Sequence, residues 1–384
     1  VDFHEAFSVS DCSMTCTQYP DRPLSLYIHI PFCHKLCYYC GCNKVITRHA
    51  HKADEYLDVL ELEVRTRAAL LQGRKVTQLH FGGGTPTFLT KAQISRVMNI
   101  LRDEFNFEGD AEISIEVDPR EIELDMLDHL RGEGFNRLSI GVQDFNKEVQ
   151  KLVNREQDEE FIFAMVERAK QLGFRSTNLD LIYGLPKQTQ ARFAETLAQV
   201  LQMQPGRLSI FNYAHMPQLF AAQRKIKDED LPVAEEKMAI LQDTISTLTG
   251  AGYQFIGMDH FAQPDDELAV AQRNGVLHRN FQGYTTQGEA DLVGFGVSAI
   301  SMIGDAYAQN QKELKKYYAQ VNDLRHALWK GVALDSDDLL RREVIKQLIS
   351  HFKFYKTILE HKFKVTFNKH HKQECTTRKT PTKQ

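Results

Sequence analysis

The sequence predicts an α/β protein whose core is a largely parallel β-sheet. Short apolar runs typical of strands alternate with longer segments rich in helix-forming residues, and each strand run ends in Gly, Pro, Asp or Gln rather than in more apolar residues. Repeated β-α units of this kind form parallel sheets. We expect main strands at residues 24–30, 76–81, 112–117, 137–143, 177–183 and 208–214, a seventh, irregular strand at 253–258, and helices at 50–72, 91–105, 121–133, 158–172, 189–203 and 233–249.

Local signals delimit these elements. The first strand alternates apolar and polar residues from Leu24 to Ile30, and Pro31 ends it. Several helices are closed by glycine, for example those that end before Gly173 and at Gly250. The carboxyl ends of the strands form the active face of α/β barrels. We therefore expect the residues at the strand ends to converge on one mouth: Cys33, Gly83, Glu116, Gln143, Asp180 and Ala214.

Composition limits the function classes. The 384 residues are 42% hydrophobic and 26% charged, which suits one large globular domain or one domain with an appendage. A net charge of −4 does not suggest a nucleic-acid binder. The chain contains no run of 18 apolar residues, and its first residues, VDFHEAFSVSDCS, lack a signal-peptide pattern. We expect a cytoplasmic protein without a membrane span, in which clustered cysteines bind metal or take part in catalysis.

A cysteine loop follows the first strand. Cys33, Cys37 and Cys40 stand in C-x3-C-x2-C spacing, and Cys42 follows two residues later. A metal ion, an iron–sulfur cluster or a disulfide could occupy such a loop. A [4Fe–4S] cluster normally takes four thiolates, and three would leave one iron open, as in catalytic metal centres. We disfavour Cys42 as the fourth ligand because of strain in so short a loop. A zinc module is the alternative, and it would usually need a second ligand pair.

Other features are consistent with a ligand site. The glycines at 82–84 follow a strand and can bring backbone close to a ligand. Glu116 and Asp180 could each accept hydrogen bonds from a ribose diol or an ammonium group. Cys12 and Cys16 repeat the C-x3-C spacing, and we interpret them as two thiols unrelated to the site.

The chain resembles a known family at several motifs. The C-x3-C-x2-C loop with Tyr39 before its last cysteine is the signature of radical S-adenosylmethionine (SAM) enzymes, and GGGTP matches their glycine motif. The wider resemblance is to oxygen-independent coproporphyrinogen III oxidases (coproporphyrinogen dehydrogenases), from about residue 20 to 350. It is carried by YIHIPFCHKLCYYCGCNK, HFGGGTPT, EISIEVDPRE, GVQDFNKEVQKLVNREQ, NLDLIYGLPKQ and QGYTTQGEADLVGFGVSAIS.

The resemblance implies a fold, a reaction and cofactors. The fold would be a partial TIM-like (β/α)6 barrel, with an incomplete N-terminal arm and C-terminal helical region. The reaction would convert two propionates of coproporphyrinogen III to vinyl groups in anaerobic haem biosynthesis, giving protoporphyrinogen IX. A [4Fe–4S] cluster and two molecules of S-adenosylmethionine would supply the radical chemistry. The implied partners are the substrate and an unidentified electron donor, with no nucleic acid, and we expect a monomer.

The resemblance also implies site residues by motif. The cluster ligands would be Cys33, Cys37 and Cys40. The first S-adenosylmethionine would contact Tyr27, Gly83, Glu116 and Ile300. The second would contact Tyr39, Gly84, Thr85, Gln143, Arg155, Asp180 and Ala214.

A tetracarboxylate substrate requires a local basic rim in a chain of net negative charge. The candidates are Lys44, Arg48, Arg224, Lys225, Arg273 and Arg279, together with His29 and the turn at residues 284–287.

The expected organisation has four parts. These are an unmatched leader at 1–23, the partial barrel at 24–260, a barrel-completing and helical substrate-side region at 261–350, and a tail at 351–384. The tail holds nine Lys and Arg residues against two Glu, and we expect it to be disordered or truncated sequence. Two alternatives stay open at this point: a haem-binding trafficking protein of the same superfamily, and an inactive truncated homologue. Cys42 and the string VNREQ favour the oxidase over the trafficking protein.

Overall fold

A computed structural model describes residues 2–366 of the chain. Its strands are β1 (Leu24–Ile30), β2 (Phe32–Cys33), β3 (Val45–Ile46), β4 (Lys75–Gly83), β5 (Asn106–Val117), β6 (Arg137–Gln143), β7 (Ser176–Tyr183), β8 (Arg207–Asn212), β9 (Gln254–Gly257), β10 (His260–Ala262), β11 (His278–Asn280), β12 (Gly283–Thr285), β13 (Asp291–Phe295), β14 (Ile300–Ile303), β15 (Ala306–Asn310) and β16 (Leu328–Ala333). Its helices are α1 (Val9–Thr17), α2 (Lys52–Ala68), α3 (Lys91–Glu104), α4 (Asp125–Gly132), α5 (Lys147–Leu152), α6 (Glu159–Gln171), α7 (Gln190–Met203), α8 (Ala234–Gly250), α9 (Glu267–Arg273), α10 (Leu314–Leu324), α11 (Ser336–His351) and α12 (Lys356–Phe363).

One 12-stranded sheet organises the described part of the chain, in the order β16-β15-β14-β13-β1-β4-β5-β6-β7-β8-β10-β9. The strands from β13 and β1 to β8 all pair in parallel. Antiparallel strands extend the sheet at both edges. Since β16 and β9 lie at opposite ends of this order and do not pair with each other, the sheet is open. The predicted α/β class and partial barrel are therefore confirmed.

The two faces of the parallel strands differ in polarity. Side chains alternate between the faces of a strand, and in β6 the apolar residues Leu138, Ile140 and Val142 are buried in the main core. The intervening Ser139 borders an interior cavity. In β7, Leu179 is likewise in the core, while Asn178 and Asp180 border that cavity. The outer face thus packs on helices, and the inner face is polar.

The helices that cover the outer face begin with recognisable capping residues. Thr90 accepts a hydrogen bond from the backbone of Gln93 and forms a capping box at the start of α3. Asp158 and Thr189 accept backbone N–H groups in the first turns of α6 and α7, without a capping box. Each of these helices buries an apolar stripe against the sheet.

Most predicted elements are present, and the main differences lie in three places. β5 begins at Asn106, six residues before the predicted start. The predicted seventh strand exists as β9, but β10 lies between it and β8. The turn between β9 and β10 depends on Gly257 and Met258, whose φ values are +146° and +49°, so the chain reverses within the predicted strand. The leader contains a helix, α1, which Ser8 and Asp11 cap.

The ends of the chain extend the described fold. α1 packs beside β15, and Arg74 links the leader to the sheet by donating to the carbonyl oxygens of Cys16 and Arg22. Of the predicted tail, α12 lies at Lys356–Phe363, and residues 367–384 lie outside the described residues. The boundaries of the four predicted regions stay predictions. Within residues 2–366, we find no helix that combines the length and hydropathy of a membrane span.

Candidate active site

The cysteine loop lies at the carboxyl end of β1, and a short ladder ties its two ends together. β2 pairs in parallel with β3, so that Cys33 lies opposite Ile46. The backbone N–H of Val45 donates to the carbonyl oxygen of Pro31 at 2.7 Å, and that of Thr47 donates to the carbonyl oxygen of Cys33 at 3.0 Å. These bonds hold the loop over the ends of the parallel strands.

The ends of the parallel strands surround a cavity of about 170 Å³ that the cysteine loop lines on one side. Eleven of the fourteen predicted site residues line it: Cys33, Cys37, Tyr39, Cys40, Gly83, Gly84, Thr85, Glu116, Gln143, Arg155 and Asp180. A second, polar cavity of about 230 Å³ shares Glu116, Ser139 and Asp180 with it and extends between the sheet and the β11–β12 hairpin. Of the six residues expected to converge from strand order, five line the first cavity and Ala214 does not.

The three thiols of the loop differ in their surroundings. Cys33 and Cys37 are buried, at 8% and 7% exposure. Thr85 Oγ1 lies 3.1 Å from Cys33 Sγ, and burial raises the pKa of the Cys33 thiol to about 12. Cys42 lies beside Cys40, with its backbone N–H 3.4 Å from Cys40 Sγ. A hydrogen bond from Cys42 lowers the pKa of Cys40.

The donor set of the loop suits an iron–sulfur cluster. Cys33, Cys37 and Cys40 line one cavity and form no disulfide. No group of three or more His, Cys, Asp or Glu side chains within residues 2–366 is arranged to hold a metal ion. In a four-iron cluster each cysteine binds a different iron, so its thiols need not meet at one point.

The glycines after β4 are required by close contacts within the protein. A Cβ on Gly83, whose φ is +119°, would lie 2.8 Å from the His29 ring. A Cβ on Gly84 would lie 2.6 Å from the carbonyl oxygen of Pro31 and 3.1 Å from Cys33 Sγ. The glycine turn therefore lets the end of β4 approach the cysteine loop closely, in addition to bordering the cavity.

Two buried polar atoms of the cavity have no partner among the described residues. They are Gln143 Oε1 and Arg155 Nε. Gln143 also has a φ of +66°, which is costly for a residue other than glycine and is often found at functional sites. Buried polar groups are normally hydrogen-bonded, so this part of the cavity suits a polar ligand.

The carboxylates at the strand ends are fixed in place. Ser139 Oγ and Asn178 Nδ2 each donate to Asp180 at 2.8 Å, and burial raises the pKa of Asp180. Glu116 Oε2 accepts the backbone N–H of Gly83 at 3.3 Å, and its other oxygen lies 3.4 Å from His80 Nε2. Both carboxylates border the two cavities, and a carboxylate oxygen can accept more than one hydrogen bond.

Three predicted residues lie next to the cavity rather than in its lining. Tyr27 lies within β1, where its ring stacks near His80 at 6.0 Å between centroids. Ile300 begins β14 and lies close to Gly294, the residue of β13 that pairs with Tyr27. A Cβ on Gly294 would lie 2.5 Å from the carbonyl oxygen of Ile300. Ala214 follows β8 and accepts a hydrogen bond from a glutamine that also bonds the cysteine loop.

The proposed basic rim is not assembled in one place. Lys44 lines the cavity, but its Nζ donates to the carbonyl oxygens of Cys40 and Cys42 at 3.0 and 3.3 Å. Arg273 donates to Gln254 on the outside of the sheet. The remaining candidates are dispersed: Arg48 is exposed, Arg224 bonds Pro217, Lys225 lies over Tyr38, Arg279 lies over Tyr284, His29 lies behind Gly83, and Tyr284 and Thr285 line the interior cavity.

The sequence interpretation missed an ion cluster at the cavity. Asp118, directly after β5, lies 2.6 Å from Arg120 Nη2 and 3.2 Å from Arg155 Nη1. Burial would raise the pKa of Asp118, but the two arginines outweigh burial and hold it well below its usual range. The sequence feature that could have indicated this ion cluster is the Asp-Pro-Arg turn at the end of β5. Ser139 and Gly141 could also have been found by counting back in twos from Gln143.

Cys12 and Cys16 lie apart from the site. Both are on α1, and the carbonyl oxygen of Cys16 accepts a hydrogen bond from Arg74, which also pairs with Asp291 at the start of β13. The cysteine loop is at the opposite end of the parallel strands.

Comparisons with known proteins identify this arrangement. A family model for the radical SAM superfamily matches residues 27–200. The chain is 69% identical over 353 residues to the oxygen-independent coproporphyrinogen III oxidase of Escherichia coli K12, covering 92% of this chain and 77% of that protein. It is 50% identical over 373 residues to the same-named protein of Pseudomonas aeruginosa PAO1, covering 96% and 81%.

A solved structure agrees with the sequence comparisons. Coproporphyrinogen III oxidase (HemN) from Escherichia coli, a radical SAM enzyme, matches with a TM-score of 0.97 and 66% identity, covering 98% of this chain and 86% of that one. The fold, the cysteine loop and the glycine turn therefore define this chain as a radical SAM enzyme. Within that class, its identity to curated relatives shows that it belongs to the oxygen-independent coproporphyrinogen III oxidases.

Proposed function

We propose that this enzyme converts two propionate side chains of coproporphyrinogen III to vinyl groups, giving protoporphyrinogen IX without oxygen. Each propionate loses a hydrogen atom, one electron and CO2. The observation that carries the proposal is the cavity at the strand ends, which is lined by three cysteine thiols and by two residues with a buried polar atom that has no partner among the described residues. The names of the relatives indicate the substrate.

We further propose that Cys33, Cys37 and Cys40 hold a [4Fe–4S] cluster and that this cavity, together with the adjoining polar cavity, takes two S-adenosylmethionine molecules. When bound, these groups supply the electron and the radical that removes the hydrogen atom. Gly83 and Glu116 border one part of the cavity. The other part is bordered by Tyr39, Gly84, Thr85, Gln143, Arg155 and Asp180.

The buried groups explain how the chain would orient these molecules. The carboxylate of Glu116 could accept from an ammonium or a ribose hydroxyl, and Asp180 could do the same on the far side. Because both carboxylates are already held by donors of the protein, they would keep their positions when a ligand binds.

The VNREQ segment at Val153–Gln157 supports an oxidase rather than a haem-trafficking relative. The carbonyl oxygen of Val153 accepts the N–H of Tyr38 at 3.0 Å, and Asn154 Nδ2 donates to the carbonyl oxygen of Leu36 at 2.7 Å. The segment therefore holds the cysteine loop over the cavity. Its sequence has a direct function in shaping the proposed cluster site.

The test uses protein reconstituted anaerobically with iron and sulfide. It would be incubated with S-adenosylmethionine, a reductant, an electron acceptor and coproporphyrinogen III. We expect about four irons per chain, formation of 5′-deoxyadenosine, and a tetrapyrrole product lacking two carboxyl groups by mass spectrometry. Cleavage of S-adenosylmethionine without loss of CO2 from the tetrapyrrole would contradict the proposal.

Two cysteine variants provide a matched comparison. Cys33→Ala removes a proposed ligand, whereas Cys16→Ala removes a buried thiol at the other end of the strands. We expect the first to lose iron and activity and the second to retain both. Equal iron contents in the two variants would refute the assignment of the cluster to this loop.

A further inference from the structure

Two buried arginines converge on one sulfur of the cysteine loop. Arg120 Nη2 lies 3.3 Å and Arg155 Nη1 lies 3.4 Å from Cys37 Sγ. Their side chains are 4% and 6% exposed, so water does not compete for these contacts. By contrast, the only side-chain donor recorded for Cys33 Sγ among residues 2–366 is a neutral hydroxyl, that of Thr85.

Asp118 fixes the direction of both guanidinium groups. Arg120 Nη2 donates to Asp118 Oδ2 at 2.6 Å and its Nε donates to Oδ1 at 2.9 Å. Arg155 Nη1 donates to the same Oδ2 at 3.2 Å, and its Nη2 donates to the carbonyl oxygen of Gly141 at 2.5 Å. Since one carboxylate is shared by two guanidinium groups, a net positive charge faces the sulfur.

Hydrogen bonds to the sulfurs and nearby charge set the reduction potential of iron–sulfur clusters. A reduced cluster carries one more negative charge than the oxidised one, so a donor and a positive charge at Cys37 favour the reduced form. Coulomb interactions are stronger in a poorly solvated interior than in water. The arrangement therefore favours the reduced form of the cluster, which would supply the electron in the proposed reaction.

We propose that Arg120 is a positioning residue that raises the reduction potential of the cluster bound at Cys37. The inference rests on the proposed cluster ligands. Arg120 does not belong to the residues that the family resemblance implies for the site, and Arg155 is expected to contact a cofactor itself, so Arg120 offers the cleaner test. A merely structural role would affect stability but not the potential.

The experiment is an EPR-monitored redox titration of reconstituted protein without S-adenosylmethionine. Arg120→Met removes both charge and donors, Arg120→Lys keeps the charge, and Arg120→Gln keeps a neutral donor. We expect the methionine variant to show an about tenfold lower ratio of reduced to oxidised cluster at a fixed potential, equivalent to about 59 mV for one electron. The lysine variant should lie between it and the unchanged protein.

Arg102→Met is the matched control, because the Arg102 side chain is exposed, pairs with Glu133 and does not line the cavity. Its potential should not change. An unchanged potential in Arg120→Met, at full iron content, would overturn the inference. If that variant does not bind iron, unchanged potentials in both the lysine and glutamine variants would overturn it equally.

The proposed function and this inference fail in different ways. A wild-type chain that binds the cluster but does not decarboxylate coproporphyrinogen III refutes the function and leaves the titration valid. A wild-type chain that turns over substrate while Arg120→Met keeps its potential refutes the inference alone.

Discussion

Replacing Gly84 by alanine tests whether the glycine turn is required by the cysteine loop. The added Cβ would lie 2.6 Å from the carbonyl oxygen of Pro31, a backbone atom, and 3.1 Å from Cys33 Sγ. Neither can move without shifting the ladder that ties the loop ends together. Inserting a methyl group where there is no space typically costs about 1–3 kcal/mol.

We therefore expect Gly84→Ala to lower the free energy of unfolding by about 1–3 kcal/mol and to reduce the iron bound after reconstitution. Chemical denaturation followed by circular dichroism measures the first effect, and iron analysis with the visible absorption of the cluster measures the second. The loss of iron should exceed the loss of folded protein, because the displaced atom is a proposed ligand.

Gly132→Ala is the matched control. Gly132 ends α4, and a Cβ there meets no atom within 4 Å. Alanine is the better helix former by roughly 0.5–1 kcal/mol, so this variant should be as stable as the parent or slightly more stable, with full iron content. The reasoning would be refuted if Gly84→Ala unfolded at the parental denaturant concentration and bound as much iron as the control.

Three further predictions concern other parts of the structure. Glu112→Gln breaks the buried 2.9 Å ion pair with Arg137, while Arg137 keeps its pair with Glu267, and should cost about 1–3 kcal/mol at pH 7. The pKa of the Glu112 carboxyl is lowered because the arginines outweigh burial, so the pair stabilises the fold at pH values above the ordinary pKa of 4.5. The difference in unfolding free energy from the parent, measured by denaturation at several pH values, should therefore shrink as the pH falls below 4.5. Arg74→Met leaves the buried carboxylate of Asp291 with Arg22, at 3.5 Å, as its cationic partner in place of Arg74 at 2.6 Å. It should cost up to about 3–5 kcal/mol and speed proteolysis at the leader; unchanged proteolysis would contradict the link between leader and sheet. Gln143→Gly relieves the backbone strain of a φ of +66° and should raise the free energy of unfolding by up to about 1 kcal/mol. The same change should weaken S-adenosylmethionine binding in equilibrium dialysis. Lys187→Gly, at a φ of +60° outside the cavity, should not affect that binding.

The parts of the structure that the sequence predicts are those with local signals. The thiol spacing, the glycines after β4 and the alternation in β1 are all visible within a few residues. The pairing of β13 with β1 could not be predicted in this way, because the two strands are separated by more than 250 residues and neither carries a signal for the other. The insertion of β10 beside β8 depends on one tight turn at Gly257.

The residues of the candidate site likewise fall into those that the sequence indicates and those that it does not. Chemically distinctive residues such as Cys33 and Asp180 could be inferred from type and position, and the structure brings them to one cavity. Ala214 and Ile300 carry no chemical signal, and only the family resemblance pointed to them. Arg120 was missed because an arginine in a turn usually belongs to the solvated surface, and only the fold shows that it is buried against Cys37.

The alternation within the strands explains why both fold and site can be specified by the same residues. Ile140 and Leu179 are fully buried on the outer face, where each contributes about 1.5–3 kcal/mol by leaving water. Ser139 and Asp180, one residue away, face the cavities instead. Because the helices stabilise the outer face, the inner face can keep carboxylates and unpaired polar atoms for ligands. Substitutions one residue apart along a strand should therefore have different effects: those of outward-facing residues should lower stability, and those of inward-facing residues should lower ligand binding.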